Sequence, residues 1–133
     1  RSGELAALRT FERATVYPAK PISGFVFAMT AVQKEEAAKQ QNVQAADIQS
    51  EAEGLRPALT VLDELNVALA CGMVTRENAE RLIDAALAFG DVVSTGRNAP
   101  EWLRDKADYV SEIIARKHPF QTEKLAAREG IEY

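Results

Sequence analysis

The chain has 133 residues, 47% of them apolar and 27% charged, with a net charge of −4 and an isoelectric point near 5.1. That length suits one domain with a core of its own, and that balance excludes a disordered chain. The negative charge argues against non-specific binding to nucleic acid or to an anionic membrane, and no dense run of Lys or Arg offsets it.

In chain order, residues 3–14 place Leu5, Leu8 and Phe11 at helical steps. Pro18, Pro21 and Gly24 then break any helix, so residues 1–24 read as a helix plus a proline-rich connector. This stretch carries a local charge of +2. Residues 25–53 read as one long helix, apolar at its start (FVFAMTAV) and polar afterwards, with Val43 and Ile48 as its only large apolar side chains there. Such a helix would be ~43 Å long, so it should either project as an arm or break near Asn42. The alternative takes FVFAM as a strand and gives an α+β fold with a small N-terminal hairpin.

Residues 54–118 read as a three-helix core. Over 57–71, Leu59, Leu62, Leu65 and Leu69 share one side, and Gly72 suits the left-handed position after a helix end. Thr75 is an N-cap for a helix over 76–95, with Ala79, Leu82, Ile83, Ala86, Leu87 and Val93 inward; Gly90 stops it early or Gly96 late. Asn98 or Ala99 caps the next helix, with Pro100 just inside. Its stripe is Leu103, Ala107, Val110 and Ile114, and it runs to His118, where Pro119 forbids continuation. Residues 119–133 hold a short last helix, Thr122 to Gly130. The fold expected is all-α: one domain over 1–133, a bundle of about five to six helices with one long, partly exposed helix.

The corner at 69–83 invites comparison with helix-turn-helix proteins, because Ala68 lies four residues before Gly72. That motif would bury positions 73, 78 and 81, but Asn78 and Arg81 are polar, and Glu77, Glu80 and Asp84 would repel a phosphate backbone. A plain helical hairpin is the reading adopted.

Chemistry is sparse on this pass. His118 is the sole histidine and Cys71 the sole cysteine, so one chain cannot build a common zinc site. His118 reads as an exposed helix-end residue and Cys71 as a buried structural thiol. GDVVSTGR, Gly90 to Arg97, has neither the spacing nor the lysine of a P-loop, and G-x-G-x-x-G and G-x-S-x-G are absent. The pairs Asp63–Glu64 and Glu77–Glu80 read as solvated faces. No catalytic, cofactor-binding or metal-binding residue is expected, and no cofactor. The aromatics Phe25, Phe27, Trp102 and Tyr109 are the interaction candidates, since Trp and Tyr are enriched at binding hot spots.

The functional expectation is therefore a non-enzymatic protein–protein interaction or assembly module, part of a larger bacterial, phage or plasmid protein, with a protein partner or self-association. The alternative is a nucleic-acid-linked accessory or regulatory domain. A chain that starts at Arg1 reads as processed or cut from something longer. The longest near-apolar run, Gly24 to Val32, is too short to span a bilayer, and a lone cysteine suits the cytoplasm.

Overall fold

A computed structural model describes residues 29–125. They belong to two units, with residues up to 108 in one and 109–125 in the other.

The larger unit begins with α1, Ala31–Leu55. Thr30 opens it with a capping box: its hydroxyl accepts from the Gln33 N–H, and the Gln33 side chain accepts from the Thr30 N–H at 2.9 Å. The helix runs unbroken through Asn42 for about 37 Å. It is no projecting arm. Ala37, Ala45 and Ala52 are buried along one side, and the helix packs against α3, Arg76–Leu87. The facing stripe on α3 is Ala79, Leu82, Ile83 and Ala86, at helical spacing, with Ala79 and Ala86 fully shielded from solvent. Alanine on both surfaces lets two helix backbones approach closely. An alanine stripe is hard to see in sequence because it lacks bulk: Val43, one of the two large apolar residues there, is exposed.

Asn42 fastens this pairing. Its amide nitrogen donates to the carbonyls of Ala38 (2.7 Å) and Met73 (3.2 Å), and its oxygen accepts from the Thr75 N–H (2.9 Å) and the Asn78 amide (2.8 Å). An Asn side chain can make four hydrogen bonds, and all four are made. They hold the turn between α2, Leu65–Ala70, and α3, the corner read as a hairpin. Gly72 is left-handed there, and the Thr75 hydroxyl caps α3, both as expected from sequence.

The expected all-α bundle is corrected by two strands, β1 (Leu59–Leu62) and β2 (Asp91–Ser94), which pair in parallel with Leu59 opposite Asp91 and Leu62 opposite Ser94. The fold is α/β. The segment 57–71, expected as one helix, is a strand followed by a short helix. The helix expected over 76–95 ends at Leu87 and gives way to β2, with Gly90 marking the early stop. LTVL and DVVS are only four residues long, with Thr60, Asp91 and Ser94 among them, and a segment that short carries no period that separates strand from helix. Along β1 the exposure alternates: Thr60 and Leu62 turn inward, Leu59 and Val61 outward. Gly90 is required by close approach, since a Cβ there would lie 2.3 Å from the Ala58 carbonyl oxygen.

Helix α4, Glu101–Lys106, begins after Pro100. It is held by the buried Leu103, by Trp102 beneath the Arg76 guanidinium (5.0 Å), and by the Lys106–Asp84 ion pair at 2.7 Å. It ends twelve residues before the expected stop at His118, because Ala107 turns to extended backbone. The expected three-helix core over 54–118 is corrected accordingly. In the second unit, residues 109–118 are exposed and non-helical, and α5 is Pro119–Glu123. The helix expected over 3–14, the proline-rich connector, the FVFAM strand alternative and the end of the last helix lie outside the described residues.

Two substitutions test this packing. Asn42→Ala strands the Thr75 N–H and the Met73 carbonyl and should lower stability by about 1–3 kcal/mol in urea titration. Gly90→Ala drives a methyl group into the Ala58 backbone and should cost about as much, on the order of 1–3 kcal/mol.

Candidate functional site

Two strands in parallel end on the same side, and the residues that follow them meet there. Asp63 and Glu64 follow β1; Thr95, Gly96 and Arg97 follow β2. In open α/β sheets, ligands bind at this edge, outside the carboxyl ends of the strands.

Core residues hold the first of these segments from both sides. Leu65 is buried in a cluster with Ala45, Val74, Ala79, Ile83 and Leu103, and Leu62 packs against the same cluster. Asp63 and Glu64, between them, are left exposed. Glu64 takes a left-handed conformation, φ 59° and ψ 15°. Such a conformation costs an ordinary side chain about 1–2 kcal/mol, and here it makes the turn from strand into helix.

Thr95 ties the two segments together. Its N–H donates to the Leu62 carbonyl and its own carbonyl accepts from the Asn66 N–H, both at 3.1 Å. Its hydroxyl accepts from the Glu64 N–H at 3.0 Å and donates to Asp63 Oδ1. With one lone pair on Glu64, the hydroxyl proton points at Asp63, which acts as the acceptor. One carboxylate oxygen is thus held in place by a hydrogen bond.

The buried Asn66 lies just behind. Its Oδ1 accepts from the Ser94 hydroxyl, and its Nδ2 donates to the Gly96 carbonyl at 3.2 Å. Gly96 has φ +117°, and a Cβ there would lie 3.1–3.2 Å from Asn66 and Val67. Glycine therefore lets the second segment pass directly over the first. Arg97 is exposed and makes no ion pair among the described residues. Among the described residues, no group of three His, Cys, Asp or Glu could hold a metal ion.

The whole chain, residues 1–133, matches the family described as ATP:corrinoid adenosyltransferase BtuR/CobO/CobP. The chain belongs to this adenosyltransferase family. It is 39% identical over 75 residues to a corrinoid adenosyltransferase of Pseudomonas aeruginosa, a match covering 56% of this chain and 36% of the relative. A corrinoid adenosyltransferase of a Sinorhizobium species is 35% identical over 79 residues, 59% of this chain and 36% of the relative. An uncharacterized protein of a Nostoc species is 35% identical over 75 residues, 56% of this chain and 19% of the relative. The matched stretch thus spans about a third of the two adenosyltransferases' length. No solved structure matches the chain significantly.

Membership of an enzyme family overturns the expectation of a non-enzymatic interaction module, and with it the alternative of a nucleic-acid-linked accessory domain. Asp63–Glu64, read as a solvated acidic face, instead sits at a strand end beside a second strand end. The signal available in sequence was the pattern itself: Leu-Thr-Val-Leu closed by two acids, and a Val-Val pair closed by Ser-Thr-Gly-Arg.

Trp102 is half-buried against the core, and Tyr109 is 94% exposed in the other unit. Phe25 and Phe27 lie outside the described residues. Cys71 is half-buried at the end of α2, and His118 is exposed just ahead of α5.

Glu64→Gly removes the cost of the left-handed turn but also loosens the unfolded chain. The two effects offset, so stability should stay within about 1 kcal/mol of the parent. Glu64→Val, β-branched at positive φ, should be clearly less stable. Paired thermal melts of the two variants check the contrast.

Proposed function

We propose that this chain supplies the strand-end portion of the active site of an ATP:corrinoid adenosyltransferase. In this reading Asp63 and Glu64 hold the divalent cation that accompanies ATP, and Arg97 meets a phosphate oxygen. The observation that supports it most is the juxtaposition of Asp63–Glu64 with Thr95–Arg97 at the carboxyl ends of adjacent parallel strands, in a chain that matches the family from end to end.

The chemistry of the transfer suits these groups. Moving an adenosyl group to a reduced corrinoid substrate forms a bond from the corrinoid's electron pair to the ribose 5′ carbon, breaks the bond between that carbon and its oxygen, and releases triphosphate. Negative charge builds on the leaving oxygen, and a cation and a guanidinium beside it stabilise that charge. A cation bound with ATP needs only one or two protein carboxylates, because phosphate oxygens and water complete its coordination. Two adjacent carboxylates, one of them oriented by Thr95, fit that need. The exposed acids and Arg97 bind and orient; none has to act as a nucleophile.

The sequence contains no G-x-x-x-x-G-K-[ST] segment, the motif of a common phosphate-binding loop. No helix among the described residues is long and apolar enough to cross a membrane. An enzyme that consumes ATP works where ATP is plentiful, and the cytoplasm meets that need.

The test is an assay of the intact protein with ATP, Mg²⁺ and a chemically reduced corrinoid, following light-sensitive adenosylcorrinoid and released triphosphate. Asp63→Asn should lower kcat/KM by about a hundredfold. Failure of the parent protein to form adenosylcorrinoid, or full activity in Asp63→Asn, would remove this reading.

A further inference from the structure

We infer that Asn66 is a positioning residue for the nucleotide side of this site, acting through the Ser94–Thr95–Gly96 segment and not by touching substrate. The inference rests on the adenosyltransferase reading for its kinetic readout, and on the structure alone for its geometry.

Asn66 contacts three consecutive residues of the opposite segment. Its side-chain oxygen accepts from the Ser94 hydroxyl, its backbone N–H donates to the Thr95 carbonyl at 3.1 Å, and its side-chain nitrogen donates to the Gly96 carbonyl at 3.2 Å. It is the buried polar residue of the described core, 7% exposed. A buried amide is retained only where its hydrogen bonds are made, and these bonds all run to one loop.

The chemistry demands an amide. The side chain must accept from a hydroxyl and donate to a carbonyl at once, and only Asn has both groups at this length. Aspartate has the same shape but would set a carboxylate against the Gly96 carbonyl. Alanine would leave that carbonyl unpaired. Either change frees the segment that carries the hydroxyl holding Asp63 and that leads into Arg97. A displacement of about 1 Å in such a group can cost on the order of a hundredfold in rate.

Asn42 supplies the control. It is a second asparagine clamp, with four hydrogen bonds, but its partners lie at the α2–α3 turn and not at the strand ends. Loss of folded protein lowers the active fraction and hence kcat, leaving KM alone. A displaced loop weakens nucleotide contacts and raises KM for ATP. The two clamps should therefore separate kinetically.

The experiment compares Asn66→Asp, Asn66→Ala, Ser94→Ala and Asn42→Ala in the intact protein. Ser94→Ala removes one bond from the far side and leaves Asn66 in place, so a readout survives if the Asn66 variants do not fold. KM for ATP should rise about tenfold in the Asn66 variants and by a smaller factor in Ser94→Ala, with KM for the corrinoid unchanged. Amide hydrogen exchange should accelerate at Thr95, Gly96 and Arg97 in the same variants. Asn42→Ala should melt earlier with KM unchanged.

An unaltered KM for ATP in folded Asn66→Asp, or an equal rise in Asn42→Ala, overturns the inference. If the parent protein transfers no adenosyl group, the functional reading falls, and hydrogen exchange alone decides the geometry. Unchanged exchange at Thr95–Arg97 in the Asn66 variants then overturns it.

Discussion

The parallel pairing of Leu59–Leu62 with Asp91–Ser94 is the constraint on which the rest depends. Parallel strands cannot be joined by a tight turn; the chain must leave one end of the sheet and return to the other. Here the return path is α2, the Gly72 corner and α3. Both strands consequently finish at the same edge, so residues about thirty positions apart in sequence become hydrogen-bond partners. An antiparallel pairing of the same two segments would have put Asp63 and Thr95 at opposite ends of the sheet. The site is thus a product of strand direction before it is a product of any one side chain.

Two kinds of packing keep that pairing in place. On the α1 side the buried residues are small, Ala37, Ala45 and Ala52, and Ala45 shares a cluster with Ala79 and Ile83 of α3. Small side chains bury little apolar area each, so the close approach of the backbones has to be set by something more directional. Asn42 does this with an amide whose four hydrogen-bonding positions are all occupied. At the strand ends Asn66 and Thr95 play the corresponding part. Each asparagine is polar, inward and satisfied, and each crosses from one element to a loop that no regular structure would otherwise restrain.

The placement of the acidic pair follows from what flanks it. Leu62 and Leu65 are drawn to the core, so Asp63 and Glu64 have to bridge two anchored residues over a sharp change of direction. The left-handed backbone of Glu64 is the result. A helix carrying the same residues would have spread the two carboxylates around a solvated surface, which is how they looked in sequence. Turned out at a strand end, with Thr95 hydrogen-bonded to both, they form part of a polar edge.

Much of the local structure was decided by the sequence alone. Thr75 as a cap, Gly72 as a left-handed corner, Gly90 as a stop and Ala79, Leu82, Ile83 and Ala86 as the inward side of α3 are all local, set by backbone sterics and helical period, whereas Leu87 and Val93, expected inward with them, are exposed. The strands were not legible, because four residues with only two or three apolar side chains fit a strand and a helix turn equally well. Nor was the buried side of α1, because alanine packs without announcing itself by size. The meeting of Asp63 with Thr95, and of Asn66 with Ser94 and Gly96, was decided only in three dimensions. It depends on which way β2 runs beside β1, and strand direction is fixed by a crossover whose contacts are long-range.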